Sequence, residues 1–285
     1  MKTRLSPSLA SIVALAALAL PPIGTAASTV LYSTSFEPPV CARGLLTGQD
    51  GWATGLGIDA VLVGTTQPNS GAQSVEFDGS LLGVGGNALT RRLFDYDAVA
   101  NGTPVVRAEV AARLDGPGTD TDNGPADDLI SLNLEGIGPS GAYFGALALS
   151  SSGEVWVFGS RPADAYATAA PAQVGRYYTL ALEIDFAARA TSFFLDGAFL
   201  TSLPFDASVT TNVVRTARLT TFPAASFDPA PYRGYFDDFA VSAFGSVAGT
   251  ICHKPGTPAQ HTLSLPEAAI PAHVNHGDLL GGCPQ

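Results

Sequence analysis

From Met1 to Cys252 the chain carries no histidine, and beyond residue 26 it has a single lysine, Lys254. A serine or cysteine nucleophile in that long front part therefore lacks an imidazole base unless the far end folds back over it, and a lysine nucleophile is excluded. No Gly-x-Ser-x-Gly elbow occurs, and the run Gly83-Val84-Gly85-Gly86 is not followed by Gly-Lys-Ser/Thr, so it reads as a turn and not as a phosphate cradle. Cysteine is scarce at three residues, and positive charge is scarce too. After residue 26 there is no apolar run near the ~20 residues that a membrane span needs. Chemistry in the body is left to carboxylates, hydroxyls, amides, guanidiniums and aromatic rings.

The start of the chain reads as a secretory signal over residues 1–26. Lys2 and Arg4 give the positive start, Leu9 to Leu20 is apolar, and Thr25-Ala26-Ala27 offers small residues for cleavage. The expected location is outside the cytoplasm, extracellular or periplasmic, with no membrane span. Without Lys2 and Arg4 the chain keeps 14 − 2 = 12 Lys+Arg against 25 Asp+Glu, a net charge of −13. Such a surface repels nucleic acid and anionic lipid, which leaves cations and neutral polymers as partners.

Short alternating or apolar runs are spaced along the body: Thr29–Phe36, Ser74–Phe77, Val105–Arg113, Leu129–Leu134, Tyr143–Leu149, Val155–Phe158, Tyr177–Asp185, Thr191–Leu195, Ala217–Phe222 and Tyr235–Phe244. Glycine and proline punctuate them, and no window holds a capped 3.6-residue apolar period. The pattern predicts an all-β, antiparallel sandwich over residues 28–247 and a separate small segment over 250–285. Its clearest unit runs from Gly175 to Phe205. Tyr178, Leu180, Leu182 and Ile184 alternate, Thr191–Leu195 ends at Asp196-Gly197, and Phe199 begins a third strand, which makes a three-stranded meander.

Tyr177-Tyr178-Thr179-Leu180-Ala181-Leu182, Phe193-Phe194-Leu195-Asp196-Gly197 and Gly234-Tyr235-Phe236-Asp237-Asp238-Phe239 resemble the concanavalin A-like (laminin G-like) jelly-roll superfamily. Ser35-Phe36-Glu37, Gln49-Asp50-Gly51-Trp52 and Ser70-Gly71-Ala72-Gln73-Ser74-Val75 are similar to the N-terminal part of its secreted bacterial members. The likeness covers residues 30–245 and implies a jelly roll whose first and last strands lie side by side. It further implies Glu37 close to Asp237 and Asp238, where members often hold structural calcium. Period-two geometry sends Asp237 and Asp238 to opposite faces, so only one of them, Asp238 in this reading, would join Glu37. A solvated acidic pair at a strand end is the competing reading.

A second candidate calcium site is the loop Gly116–Asp128, with Asp120 and Asp122 as the first two ligands. It lacks the glycine at the sixth place and the glutamate at the twelfth of an EF-hand, and an ordinary polar hairpin loop is preferred. Glu183-Ile184-Asp185-Phe186 looks like the start of the paired-carboxylate strand of laminarinase-type glycosidases, but the expected second glutamate is replaced by Ala187 and Ala188. Trp52, Trp156, Tyr143, Phe144, Tyr177, Tyr178, Tyr232 and Tyr235 could stack on sugars, and packing in the core is the preferred role for each.

All four histidines and two cysteines fall in the last 34 residues. This tail is similar to a short C-terminal module with a Cys-His start and a His-Gly-Asp…Cys finish on secreted bacterial proteins. Three states are open to it. A Cys252–Cys283 disulfide without metal leads; a disulfide with zinc or copper on His253, His273, His276 and Asp278 follows; a zinc site on the two thiolates is last. Cys41 would be a free thiol or an intermolecular link. The resemblance implies a non-catalytic binding or surface protein whose partner is carbohydrate or another cell-envelope polymer. The alternatives are a glycoside hydrolase using Glu183 and Asp185, or a structural spacer presenting a metal-binding tail.

Overall fold

The computed structural model describes residues 28–56, 58–78, 81, 88–116, 129–136, 143–161, 164–222, 233–245, 248–257, 259–266, 270–280 and 283. The leader over residues 1–26 lies outside them. In chain order the strands are β1 (Ser28–Thr34), β2 (Gly44–Leu45), β3 (Trp52–Leu56), β4 (Val61–Gly64), β5 (Ser74–Asp78), β6 (Ala88–Asp97), β7 (Val105–Asp115), β8 (Leu129–Gly136), β9 (Tyr143–Ser150) and β10 (Glu154–Phe158). They continue with β11 (Ala165–Pro171), β12 (Tyr177–Asp185), β13 (Ala190–Leu195), β14 (Ala198–Pro204), β15 (Val213–Phe222) and β16 (Arg233–Phe244). The tail adds β17 (Ala248–His253), β18 (His261–Pro266), a short helix α1 (Ile270–Asn275) and β19 (Leu279–Leu280).

Two antiparallel sheets face each other as a jelly-roll sandwich. Among the described residues one has nine strands in the order β14-β13-β12-β7-β16-β5-β4-β2, with β1 on the second half of β16; the other has seven, β11-β10-β9-β8-β15-β6-β3. The first and last strands of the body are neighbours, Ser28 opposite Phe244 and Thr34 opposite Phe239. The meander expected over Gly175–Phe205 is β12-β13-β14, and Asp196 and Gly197 take the positive φ values, 49° and 76°, that a two-residue hairpin turn demands.

Alternation decides what each strand buries. Val106, Ala108, Val110, Ala112 and Leu114 of β7 join Leu180, Leu182 and Ile184 of β12 on the inner face, opposite Ile130, Leu132 and Leu134 of β8. Phe77 meets Phe236 edge to face at 5.2 Å and Phe144 meets Phe186 at 5.3 Å, each buried ring contributing about 2–3 kcal/mol. Trp52, Phe144, Tyr178 and Tyr235 are buried in this sandwich. The strands β2, β3, β4, β6, β11 and those of the tail are additions to the sequence-based expectation. They are short, edge-placed or poor in alternation.

The tail forms its own three-stranded sheet, β18-β17-β19, closed by a disulfide between Cys252 and Cys283. The bridge closes a loop with a sequence separation of 31. That stabilises so small a unit by roughly 3–4 kcal/mol through lost entropy of the unfolded chain. Both sulfurs are consumed, so the thiolate zinc site is corrected. Cys41 is a free thiol, fully buried, which corrects the intermolecular link.

Gly234 in β16 sits close against the opposite sheet: a Cβ there would stand 2.6 Å from Ile130 Cγ2. Glycine inside a strand is retained for such an approach. Gly234→Ala should therefore lose about 1–3 kcal/mol in urea unfolding, the cost of overpacking a filled core.

Candidate functional site

Because Ile130, Leu132 and Leu134 point inward, their neighbours Ser131, Asn133 and Glu135 stand on the outer face of the seven-stranded sheet. On β15, Ala217 and Leu219 are core residues, so Arg218 and Thr220 face outward. Arg218 lies opposite Asn133 and Thr220 opposite Ser131. Tyr143 enters the same face from β9, opposite Glu135, and the exposed Arg91 enters from β6, opposite Arg218.

These groups are linked. The Tyr143 hydroxyl donates to Asn133 Oδ1 (3.1 Å), and Asn133 Nδ2 donates to Ser131 Oγ (3.0 Å) and Thr220 Oγ1 (3.2 Å). Arg218 Nη1 pairs with Glu135 Oε1. Burial pushes the Tyr143 phenol far above its ordinary range, helped by the Glu135 charge. Burial also raises the Glu135 carboxyl, against the pull of Arg218 and Arg91. Arg218 Nε is buried without a hydrogen-bond partner. A buried donor without a partner is costly, and Arg92 Nε, on the neighbouring strand β6, is in the same state. Beside this patch Trp156 packs on Leu129 and Ala148, stacked with Phe158 at 6.4 Å. Trp156 is 8% exposed and its Nε1 donates to Glu154 Oε2, so its role is packing.

The residues singled out from the sequence take other places. Glu37 and Asp238 do come together, on a hollow of about 510 Å³ that also includes Thr34, Ser35 and Pro38. Asp237 and Asp238 do not go to opposite partners. β16 is irregular between Asp237 and Ala240, Asp238 has φ 47°, and both carboxylates reach one loop. Asp237 Oδ2 accepts the Asn69 and Ser70 N–H groups, while Asp238 accepts Asn69 Nδ2 and the Ser70 hydroxyl. Glu37 Oε1 accepts the Ala72 and Gln73 N–H groups. Calcium needs 6–8 oxygen ligands, and what faces these carboxylates is a set of hydrogen-bond donors. The set fits a clamp on the 69–73 loop and does not fit a calcium ion. Asp120 and Asp122 lie outside the described residues, as does Tyr232.

Glu183 and Asp185 stand on the outer face of the nine-stranded sheet. Glu183 pairs with Arg107 at 3.6 Å, and Asp185 Oδ1 accepts the Ala187 and Ala188 N–H groups of the following turn. Each has a structural task, although Asp185 Oδ2 is buried without a hydrogen-bond partner. In the tail, His253 Nδ1 and His273 Nδ1 both lie 2.8 Å from Asp278 Oδ2, and the Lys254 N–H donates to Asp278 Oδ1 at 3.0 Å. The His253 ring, with Lys254 N–H and His273, holds the Asp278 carboxyl well below the usual carboxylate range. His276 is exposed and lies outside this group, whereas His261 sits edge-on to His253 at 5.2 Å.

No protein-family model matches the chain, and no curated protein does. Solved structures match it in fold alone. A carbohydrate esterase from a Shiga toxin-encoding bacteriophage is 12% identical, covers 77% of this chain and 100% of its own, and superposes with a TM-score of 0.50. A basic winged bean lectin solved with Tn-antigen is 9% identical over 76% of this chain and 98% of its own, at 0.46. A sialidase is 11% identical over 67% of this chain at 0.44, and this chain spans only 17% of its length. The likeness to the esterase bears on the fold and on nothing more.

Sequence reasoning named Tyr143 as a possible stacking ring but missed Asn133, Glu135, Arg91 and Arg218, with which it forms the patch. These members are scattered over more than a hundred residues, and each of the four looks like an ordinary outward residue of a strand. Among the described residues no helix is long and apolar enough to cross a membrane.

Asp237 supplies a pH test. Burial raises its carboxyl to about 6 from 3.8 despite three N–H donors that favour the charged form. With the folded value above the unfolded one, its contribution is fully present below pH ~4 and is lost as pH rises through 6, by at most about 3 kcal/mol. The stability advantage of the native protein over Asp237→Asn, measured by urea unfolding, should be smaller at pH 7 than at pH 4.

Proposed function

We propose that this protein is an exported, non-catalytic carbohydrate-binding module of the concanavalin A-like type, and that it engages a cell-envelope or extracellular glycan on the outer face of the seven-stranded sheet. The observation that carries this reading is the convergence of Asn133, Glu135, Tyr143 and Arg218 from three adjacent strands into one hydrogen-bonded and ion-paired network. A folding core has no use for such a network on the outer side of a sheet. Sugar hydroxyls do, because each one donates and accepts and is recognised by fixed donors and acceptors on a rigid scaffold. Arg91 and Arg218 put two cations on this face of an otherwise acidic protein, which suits a polymer bearing carboxylates as well as hydroxyls.

The non-catalytic part rests on the carboxylates. Glycoside hydrolysis uses two of them, one as proton donor. Glu135 is held by Arg218 and Glu154 by Trp156 Nε1, while Glu183 and Asp185 serve the opposite sheet. The leader pattern at residues 1–26 and the tail disulfide support export.

Calorimetric titration against a panel of neutral and uronic-acid polysaccharides tests the reading. Arg218→Ala should weaken binding at least tenfold, about 1.4 kcal/mol, while Glu183→Gln leaves it unchanged. Equal affinity of native protein and Arg218→Ala would remove the proposed face. Release of new sugar ends from any bound polymer would make the protein an enzyme.

A further inference from the structure

The tail holds a cluster that neither the sandwich nor the disulfide requires. His253 ends β17 next to the bridged Cys252, His273 comes from α1, and Asp278 precedes β19, so three separate elements deliver three side chains to one point. Their ligand-type atoms all lie within 4.8 Å of one another. Asp278 is 6% exposed, yet two imidazoles converge on a single one of its oxygens.

We propose that His253 Nδ1, His273 Nδ1 and Asp278 Oδ2 form a zinc site. Zinc at 2.0–2.2 Å from nitrogen and oxygen ligands sets neighbouring ligand atoms roughly 3.3 Å apart in a tetrahedron. The observed 2.8 Å nitrogen-to-oxygen distances need open by only about half an ångström. On binding, two Zn–N bonds and one Zn–O bond form, and each ring coordinates as a neutral imidazole with its proton on Nε2, a proton on Nδ1 having moved there through solvent. The Lys254 N–H on Asp278 Oδ1 fixes the carboxylate so that Oδ2 stays turned to the imidazoles, which is the orienting task of outer partners around a metal. A second anchor is the Asp278 N–H bonded to the His273 carbonyl at 3.1 Å. Three protein ligands leave a fourth position. His261 lies opposite His253 in the β17–β18 register with its Nδ1 on the Ala259 carbonyl, and neither it nor His276 belongs to the cluster.

Full-length mature protein, stripped of metal, is titrated calorimetrically with Zn2+ alone. One zinc per chain is expected, with affinity at least tenfold weaker in His253→Gln and in His273→Gln and unchanged in His276→Gln. Free-thiol titration under denaturing conditions must return one thiol, Cys41, in each variant, so that lost binding is not lost folding. Cobalt(II) loading of the unaltered protein is a second readout, expected to give the intense visible bands of a tetrahedral ion. No zinc uptake, undiminished affinity in both His253 and His273 variants, equal loss in His276→Gln, or weak octahedral cobalt bands would each overturn the site.

Discussion

The rest of the molecule depends on the burial of two apolar faces against each other, and β16 is the strand through which most of that burial is organised. It pairs with β7 along one side and with β5 and then β1 along the other, so the two ends of the body are joined by one ladder. Its inward residues Phe236, Phe239, Val241 and Ala243 are fully or almost fully buried, and Gly234 lets the opposite sheet approach. Hydrophobic area removed from water supplies the driving force here. The ladder hydrogen bonds chiefly avoid the cost of burying unpaired backbone.

Once the inner faces are committed, every second residue has to face outward, and the two outer faces have been used differently. On the nine-stranded sheet the polar residues pair with neighbours, as Glu183 does with Arg107. Asp237, Asp238 and Glu37 fasten a loop where the strand regularity breaks. On the seven-stranded sheet the polar residues form a hydrogen-bonded network with a donor left over. The tail repeats the logic at small scale: a disulfide replaces the core that so short a segment cannot build, and the strand ends it fixes bring imidazoles to one carboxylate.

The fold was largely legible because period two and Asp-Gly punctuation are local signals. Val105–Arg113, Tyr177–Asp185 and Tyr235–Phe244 all became strands, and the alternating Tyr178, Leu180, Leu182 and Ile184 are buried core residues of the second. Strands such as β2 and β11, short or mostly exposed, have no such signal. The clamp was half legible. The nearness of Glu37 to Asp238 followed from the paired ends, but the positive φ at Asp238, which turns its carboxylate to the same loop as that of Asp237, depends on a local irregularity in β16.

By itself the sequence determined the class of structure, the acidic surface, the absence of histidine and lysine chemistry from the body, and the tail as a unit rich in histidine with two cysteines, whose pairing the structure decided. Tertiary structure alone decided that Arg218, Asn133, Glu135 and Tyr143 share a face, and that His273 rather than His276 meets His253 at Asp278. Composition and periodicity are properties of neighbours along the chain. Which strands lie side by side, and which of two nearby imidazoles a short helix turns inward, is set by packing between segments far apart in sequence.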